Sequence, residues 1–198
     1  AGDGKSAAAA AEIRKQRGPV SLAAMARTFN LNPGELLELV APALPPDILT
    51  VRGAGDAIFI AAAEHRRFSE SILGQLAEYH RHNPLQEGAY SSRELLGRLG
   101  LQHFAAGGDF LERLLTTLSD EGRVKPVGGS WALAGHRVTV DAEQQRALDF
   151  AASYLKAAGM QAPVMAEFML QAKARGIGEE QLQRVLRYLV TRQEAYAV

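Results

Sequence analysis

Apolar positions recur along the chain first at helical and then at strand spacing, and the succession is written nearly three times. In the first pass, residues 7–17 are rich in alanine and charge and predict a helix that Gly18-Pro19 stops. Ser21 is placed to cap a second helix over 22–30, with Leu22, Met25, Ala26 and Phe29 on one face. Asn30-Leu31-Asn32 predicts a turn, with Asn32 capping a third helix and Pro33 at its first position. Leu36, Leu37, Val40 and Leu44 supply that helix's buried stripe, and Pro42, Pro45 and Pro46 end it. Apolar runs 48–51 and 58–60 then flank the glycine-rich stretch 52–56, a hairpin pattern.

The second pass is cleaner. A helix is predicted over 69–82, with Ile72, Leu73, Leu76 and Tyr79 on one face, and Asn83-Pro84 stops it. Ser91 and Glu94 have capping-box spacing ahead of Leu95, Leu96 and Leu99. Gly107-Gly108-Asp109 opens a third helix buried through Phe110, Leu111, Leu114, Leu115 and Leu118. Strands over 124–127 and 131–133 flank Gly128-Gly129. The third pass predicts helices over 141–158, 164–174 and 179–192, then a single strand over 195–198. A lone hairpin strand leaves its backbone groups unpaired, so continuation of the natural chain is expected.

The repeat aligns Gly18-Pro19-Val20-Ser21 with Gly88-Ala89-Tyr90-Ser91, an offset of 70 residues that also matches Met25 with Leu95, Phe29 with Leu99 and Leu31 with Leu101. A fixed period marks an array of small modules. Helix-turn-helix plus hairpin is the winged-helix plan. The expected fold is therefore mainly α with small β-hairpin wings, a tandem array of winged helices over 1–64, 65–136 and 137–198. Linkers are expected near 64–68 and 135–140, and the third wing is incomplete.

Charge weakens one function that this plan suggests. Lys plus Arg and Asp plus Glu are 22 each; by module the counts are six basic against seven acidic, eight against eight, and eight against seven. A domain that grips phosphates broadly is clearly basic. The third helix of module one carries Glu35 and Glu38 and no cation, a face that repels phosphate. Module two offers Arg113 on its third helix, Arg93 and Arg98 on its second, and Arg123 and Lys125 at its wing. Module three carries Arg184, Arg187 and Arg192 on its third helix and Lys173 and Arg175 near its turn. The nucleic-acid-binding candidates are thus Lys173, Arg175, Arg184, Arg187, Arg123 and Lys125, with a solvated charged face as the commoner role for such residues.

Other chemistry is sparse. Asp3-Gly4-Lys5-Ser6 matches only the tail of a phosphate-binding loop and reads as a flexible leader. His80 and His82 lie two apart, on opposite sides of a helix, and read with His65, His103 and His136 as surface or helix-end residues; no metal site is expected. Trp131, in a wing strand, reads as a packing residue rather than a platform for a base. No nucleophile elbow or His-Glu-x-x-His occurs, and no catalytic residue is assigned. The absence of cysteine excludes disulfides and thiolate metal sites and is compatible with a reducing cytosol. No apolar run approaches the ~20 residues of a membrane span.

The stretch Leu76-Ala77-Glu78-Tyr79-His80-Arg81-His82-Asn83-Pro84-Leu85, followed by Gly88 and Arg93-Glu94-Leu95, resembles the C-terminal region of bacterial selenocysteine-specific elongation factors. The Phe110–Leu118 helix and the Gly128-Gly129 wing keep that register. In that family a GTPase delivers selenocysteinyl-tRNA, and a tail of four winged helices reads an mRNA hairpin beside an in-frame UGA. The resemblance implies a cytoplasmic, monomeric arm for protein biosynthesis, without enzymatic activity or cofactor of its own, GTP binding belonging to the parent protein. Its implied partners are the mRNA hairpin, bound mainly through a following fourth module, and the ribosome. A DNA-binding transcription regulator and a winged-helix protein-interaction scaffold are the alternatives that the module plan leaves open.

Overall fold

A computed structural model describes residues 2–39, 41–52, 57–159 and 164–191. It is mostly helical with two small antiparallel sheets, and the chain forms two compact units, 1–78 with 88–135 and 79–87 with 136–198.

The first unit opens with α1 (Gly2–Gln16), whose first turns take in Asp3, Gly4, Lys5 and Ser6. The expected leader is thus helical. Buried Ser6 donates its hydroxyl to the Ala43 carbonyl, while Ala9, Ala10 and Ile13 enter the core. A two-residue strand, β1 (Val20–Ser21), follows, then α2 (Leu22–Thr28), α3 (Pro33–Leu39), a 3-10 turn (Ala41–Ala43), and strands β2 (Ile48–Val51) and β3 (Ile58–Ala61). The hairpin tip at 53–56 lies outside the described residues.

The caps work as the residue pattern predicts. Ser21 Oγ accepts from the Ala24 N–H at 3.1 Å. Asn32 Oδ1 accepts from the Glu35 N–H at 2.8 Å while the Glu35 carboxylate accepts from the Asn32 N–H at 2.9 Å. Each such cap contributes about 1 kcal/mol.

β3 is the centre of a sheet of order β1-β3-β2, with Val20 opposite Phe59 and Thr50 opposite Phe59 on the other side. Its β-branched and aromatic residues suit a strand buried on both faces. Phe59 points into a core with Met25, Leu36, Ile13 and Ala9. Ile58 and Ile60 point the other way, into a core with Phe68, Ile72, Leu95, Phe110 and Leu114. All three are at most 1% exposed. The hairpin of the first module is therefore an inner layer shared with the second.

The second module begins with α4 (Ala62–His82), one 21-residue helix through the expected linker at 64–68. Phe68 is buried and Arg67 pairs with Glu64 at 2.7 Å, so this stretch has helical partners on both faces and no reason to bend. The boundary between 64 and 65 falls inside α4, and its last turn, from Tyr79, belongs to the second unit. Then come α5 (Ser92–Arg98), a 3-10 turn (Leu101–His103), α6 (Gly107–Asp120), and hairpin β4 (Val124–Val127) with β5 (Ser130–Leu133). Ser91 and Glu94 form the predicted capping box, and the Ser91 N–H holds the Glu94 carboxyl below its ordinary range. Tyr90 bridges to Trp131 as Val20 pairs with Phe59, so the segment before each cap pairs with the last hairpin strand, at an offset of 70 residues on one side and 72 on the other. At Gly107 a Cβ would lie 1.9 Å from the Leu101 carbonyl oxygen, which excludes any side chain there.

The second unit packs α7 (Ala142–Ala158), α8 (Met165–Ala174) and α9 (Glu179–Thr191) around Ala147, Ala151, Phe168, Val185 and Leu189, with Leu85 inserted. Asp141 and Gln144 form a further capping box. Gly176, at φ 75°, ends α8 in the left-handed conformation that favours glycine. The predicted strand at 195–198 lies outside the described residues, as does Arg192. Residues 135–140 hold no regular element beyond a turn, as a connector would.

The shared hairpin predicts coupled unfolding. Phe59→Ala removes a side chain from the first module's core, with an expected cost of about 3–5 kcal/mol. The midpoint in urea should fall when followed by Trp131 fluorescence, a reporter in the second module; an unchanged Trp131 midpoint would mean independent modules. A second prediction concerns pH. His65 packs edge-on against Phe110 at 6.0 Å, and burial pushes its imidazole below the ordinary value, opposed by a smaller upward pull from Glu121. The unfolded chain then binds the proton more readily, so stability should fall as pH drops from about 6.5 toward the lowered folded value. In His65→Gln that slope, measured by urea titration, should flatten.

Candidate nucleic-acid interface

In the first unit the groups that a winged helix would present to a groove are engaged elsewhere. Strand β3 is covered on both faces, while Thr50 on the edge strand β2 is exposed. The Arg113 guanidinium on α6 donates to the Val51 carbonyl at 2.8 Å, tying the second module's third helix to the first module's hairpin. α3 presents exposed Glu35 and Glu38. Trp131 rests against the second module's core, and its indole N–H donates to Ser92 Oγ at 3.0 Å, the packing role its strand position predicts. Arg98 lies over the Tyr90 ring at 4.0 Å. Arg123 faces Glu121 at 3.6 Å with both about half exposed, an ion pair of little energetic weight. Lys125 sits on β4, one residue from buried Val124. Neither hairpin cation lines any of the three cavities of the second unit.

The second unit is different. Arg184, half-buried on α9, lines a cavity of about 330 Å³ with Arg81 and His82 from the end of α4 and Asp141 and Gln144 from the start of α7. Arg175, just past α8, lines a cavity of about 360 Å³ with Arg146 and Phe150. Glu143 and Gln181 line both, so the two cavities adjoin. Gln181 Nε2 donates to the Glu143 carbonyl at 3.4 Å across their common wall. Arg175 is positioned twice: its guanidinium lies 4.9 Å from the Phe150 ring centre and donates to the Gln171 carbonyl at 3.0 Å.

Of the four candidates in this module, the structure thus brings Arg175 and Arg184 to adjoining cavities. Lys173 lines a separate, more apolar hollow of about 460 Å³ with Met169, Leu170, Ile177 and Leu182. Arg187 is exposed on α9 and lines none of these three cavities. Arg81, Arg146, Phe150 and Glu143 escape a sequence reading because they come from other helices. The i, i+4 spacing of Arg146 and Phe150 on α7 was the one available signal.

His80 departs from the expected surface position. It is 6% exposed, and its ring stacks on His136 with centroids 3.6 Å apart and planes 15° from parallel. A ring nitrogen of His136 lies 2.9 Å from the Gln86 carbonyl oxygen. Face-to-face rings do not converge their nitrogens on one ion, and no cluster of three or more His, Cys, Asp or Glu suited to a metal occurs among the described residues. No helix among the described residues is long and apolar enough to cross a membrane.

No protein-family model matches this chain, and no curated protein matches it.

The geometry separates two arginines that both lie on third helices. If the second unit binds nucleic acid, Arg184→Ala should weaken that binding about equally across sequences and reduce the salt slope by about one, read by fluorescence anisotropy over a salt series. Arg113→Ala should leave that binding unchanged and instead lower stability by about 1–3 kcal/mol, because the Val51 carbonyl loses its charged donor.

Proposed function

We propose that this chain is an arm of tandem winged helices from the C-terminal region of a selenocysteine-specific elongation factor. It holds an RNA-reading tip at a set distance from the GTPase and tRNA-binding body. The observation that carries the reading is strand β3 of the first hairpin, buried between two cores. A wing used that way serves as a joint, and an acidic α3 beside it does not favour nucleic acid. Zero net charge and the repetition of the Ser21 and Ser91 caps at an offset of 70 support the same reading. In this role the arm needs no catalytic group, metal or cofactor of its own. It acts as a monomer in the cytoplasm with the ribosome and an mRNA hairpin as partners. The hairpin is held mainly by the module that follows in the family, with the second unit's Arg175 and Arg184 as auxiliary contacts.

One observation favours a second reading, a protein-interaction scaffold. Val164, Met165 and Leu170, at the start of and along α8, are 65%, 51% and 68% exposed. Apolar groups of that size in one element mark contact surfaces. A DNA-binding regulator finds less support, because Arg113 is committed to the Val51 carbonyl and α3 carries no cation.

The deciding measurement is fluorescence anisotropy with an mRNA hairpin taken from beside an in-frame UGA, against duplex DNA and over a salt series. The chain alone should bind weakly with a steep salt dependence, and the whole elongation factor tightly and selectively. Preference of the chain for duplex DNA would replace the arm with the regulator. Absence of binding by either protein would leave the scaffold.

A further inference from the structure

The cavity around Arg175 is poorly built for a phosphate and well built for something flat. Phe150 stacks on Phe168 with centroids 5.5 Å apart and planes 22° from parallel, and Phe168 stacks on Tyr154 at 4.5 Å. Phe150 and Tyr154 also lie 5.9 Å apart with planes at 46°, so the three rings form a triangular cluster. The Arg175 guanidinium sits 4.9 Å from the Phe150 ring centre and donates to the Gln171 carbonyl, a flat cation on the edge of this aromatic cluster. Gly176 follows at φ 75°, the left-handed conformation that turns the chain toward α9. Arg146 and Gln181 stand at the walls, and Glu143 lies where this cavity meets the one around Arg184.

A continuous track for phosphates would carry cations throughout, and Glu143 would repel the backbone at its middle. A nucleobase reverses that sign. Its face stacks on an arginine plane as on an aromatic ring, and its exocyclic amine donates to a carboxylate. The face is available only when the base is unpaired and unstacked, since stacking covers it in a helix; the amine then offers both of its N–H groups.

We propose that this cavity takes one unpaired, amino-bearing base of single-stranded RNA. The base stacks on Arg175 with its amine toward Glu143, and flanking phosphates reach Arg146 and Arg184. The inference rests on the RNA-arm reading and adds to it a base-specific contact in the third module. Adenine, cytosine and guanine carry the amine; uracil does not.

The probe is a fluorescein-labelled single-stranded RNA hexamer of uridine, compared with the same hexamer carrying one central adenosine, by anisotropy with the whole chain. The adenosine hexamer should bind about tenfold tighter. Glu143→Ala should remove that preference. Arg175→Lys, which keeps the charge but not the plane, should weaken the adenosine hexamer about tenfold while leaving the salt slope unchanged. Arg175 is exposed, and circular dichroism checks that the variant folds. Equal affinity for the two hexamers, tighter binding of both by Glu143→Ala, or no binding of either would overturn the proposal. The arm reading stands or falls separately, on hairpin binding by the whole elongation factor.

Discussion

Ile58 and Ile60 face one core, Phe59 faces another, and the strand that carries them is the middle of its sheet. Most of the first unit depends on this arrangement. A hairpin with one solvated face would show alternating apolar and polar residues, but β3 reads Ile-Phe-Ile-Ala without a polar position. Burying both faces removes that apolar surface from water, at about 1.5–3 kcal/mol for each large side chain. Two modules too small to bury much surface alone thereby share one layer. Ties around the layer reinforce it. Arg113 reaches back to the Val51 carbonyl, and Phe104 lies so close to Gly18 that a Cβ there would meet its ring at 2.3 Å.

That economy of packing has a functional side. A strand and a helix used for internal contacts are withdrawn from the surface, so a repeat that reads as three equivalent modules is not equivalent in what it exposes. In the second unit a cation-rich wall survives, made by Arg175, Arg146 and Arg184 with Phe150 between helices and Glu143 as its one shared acid. Its chemistry mixes a flat cationic platform with a carboxylate, which suits the recognition of a base better than the neutralisation of a backbone. The stacked His80 and His136 belong to the same unit and hold the end of α4 to the segment after β5 through ring contact and the Gln86 carbonyl.

Local chemistry was legible in the chain before folding. Ser21, Asn32 and Ser91 cap the helices they precede because a side-chain oxygen three residues from a free N–H needs nothing distant to act. The offset of 70 residues was legible for the same reason, since each module repeats its own local signals. The start of α4 was not, because Glu64 to Phe68 lacks a strong period and becomes helical through Phe68 packing against Phe110. Nor was the short strand β1, whose two residues gain their identity only from Phe59 and Ile58 opposite. The candidate site divides likewise. Arg175 and Arg184 were visible as cations near a turn and on a helix, while Arg81, Arg146, Phe150 and Glu143 join them only when three helices and the end of a fourth meet. By itself the sequence determined helices, caps, turns and the repeat, which short-range backbone and side-chain contacts decide. Tertiary structure alone decided which hairpin would be buried, which arginine would serve packing and which would line a cavity, because those outcomes depend on surfaces brought together from residues tens of positions apart.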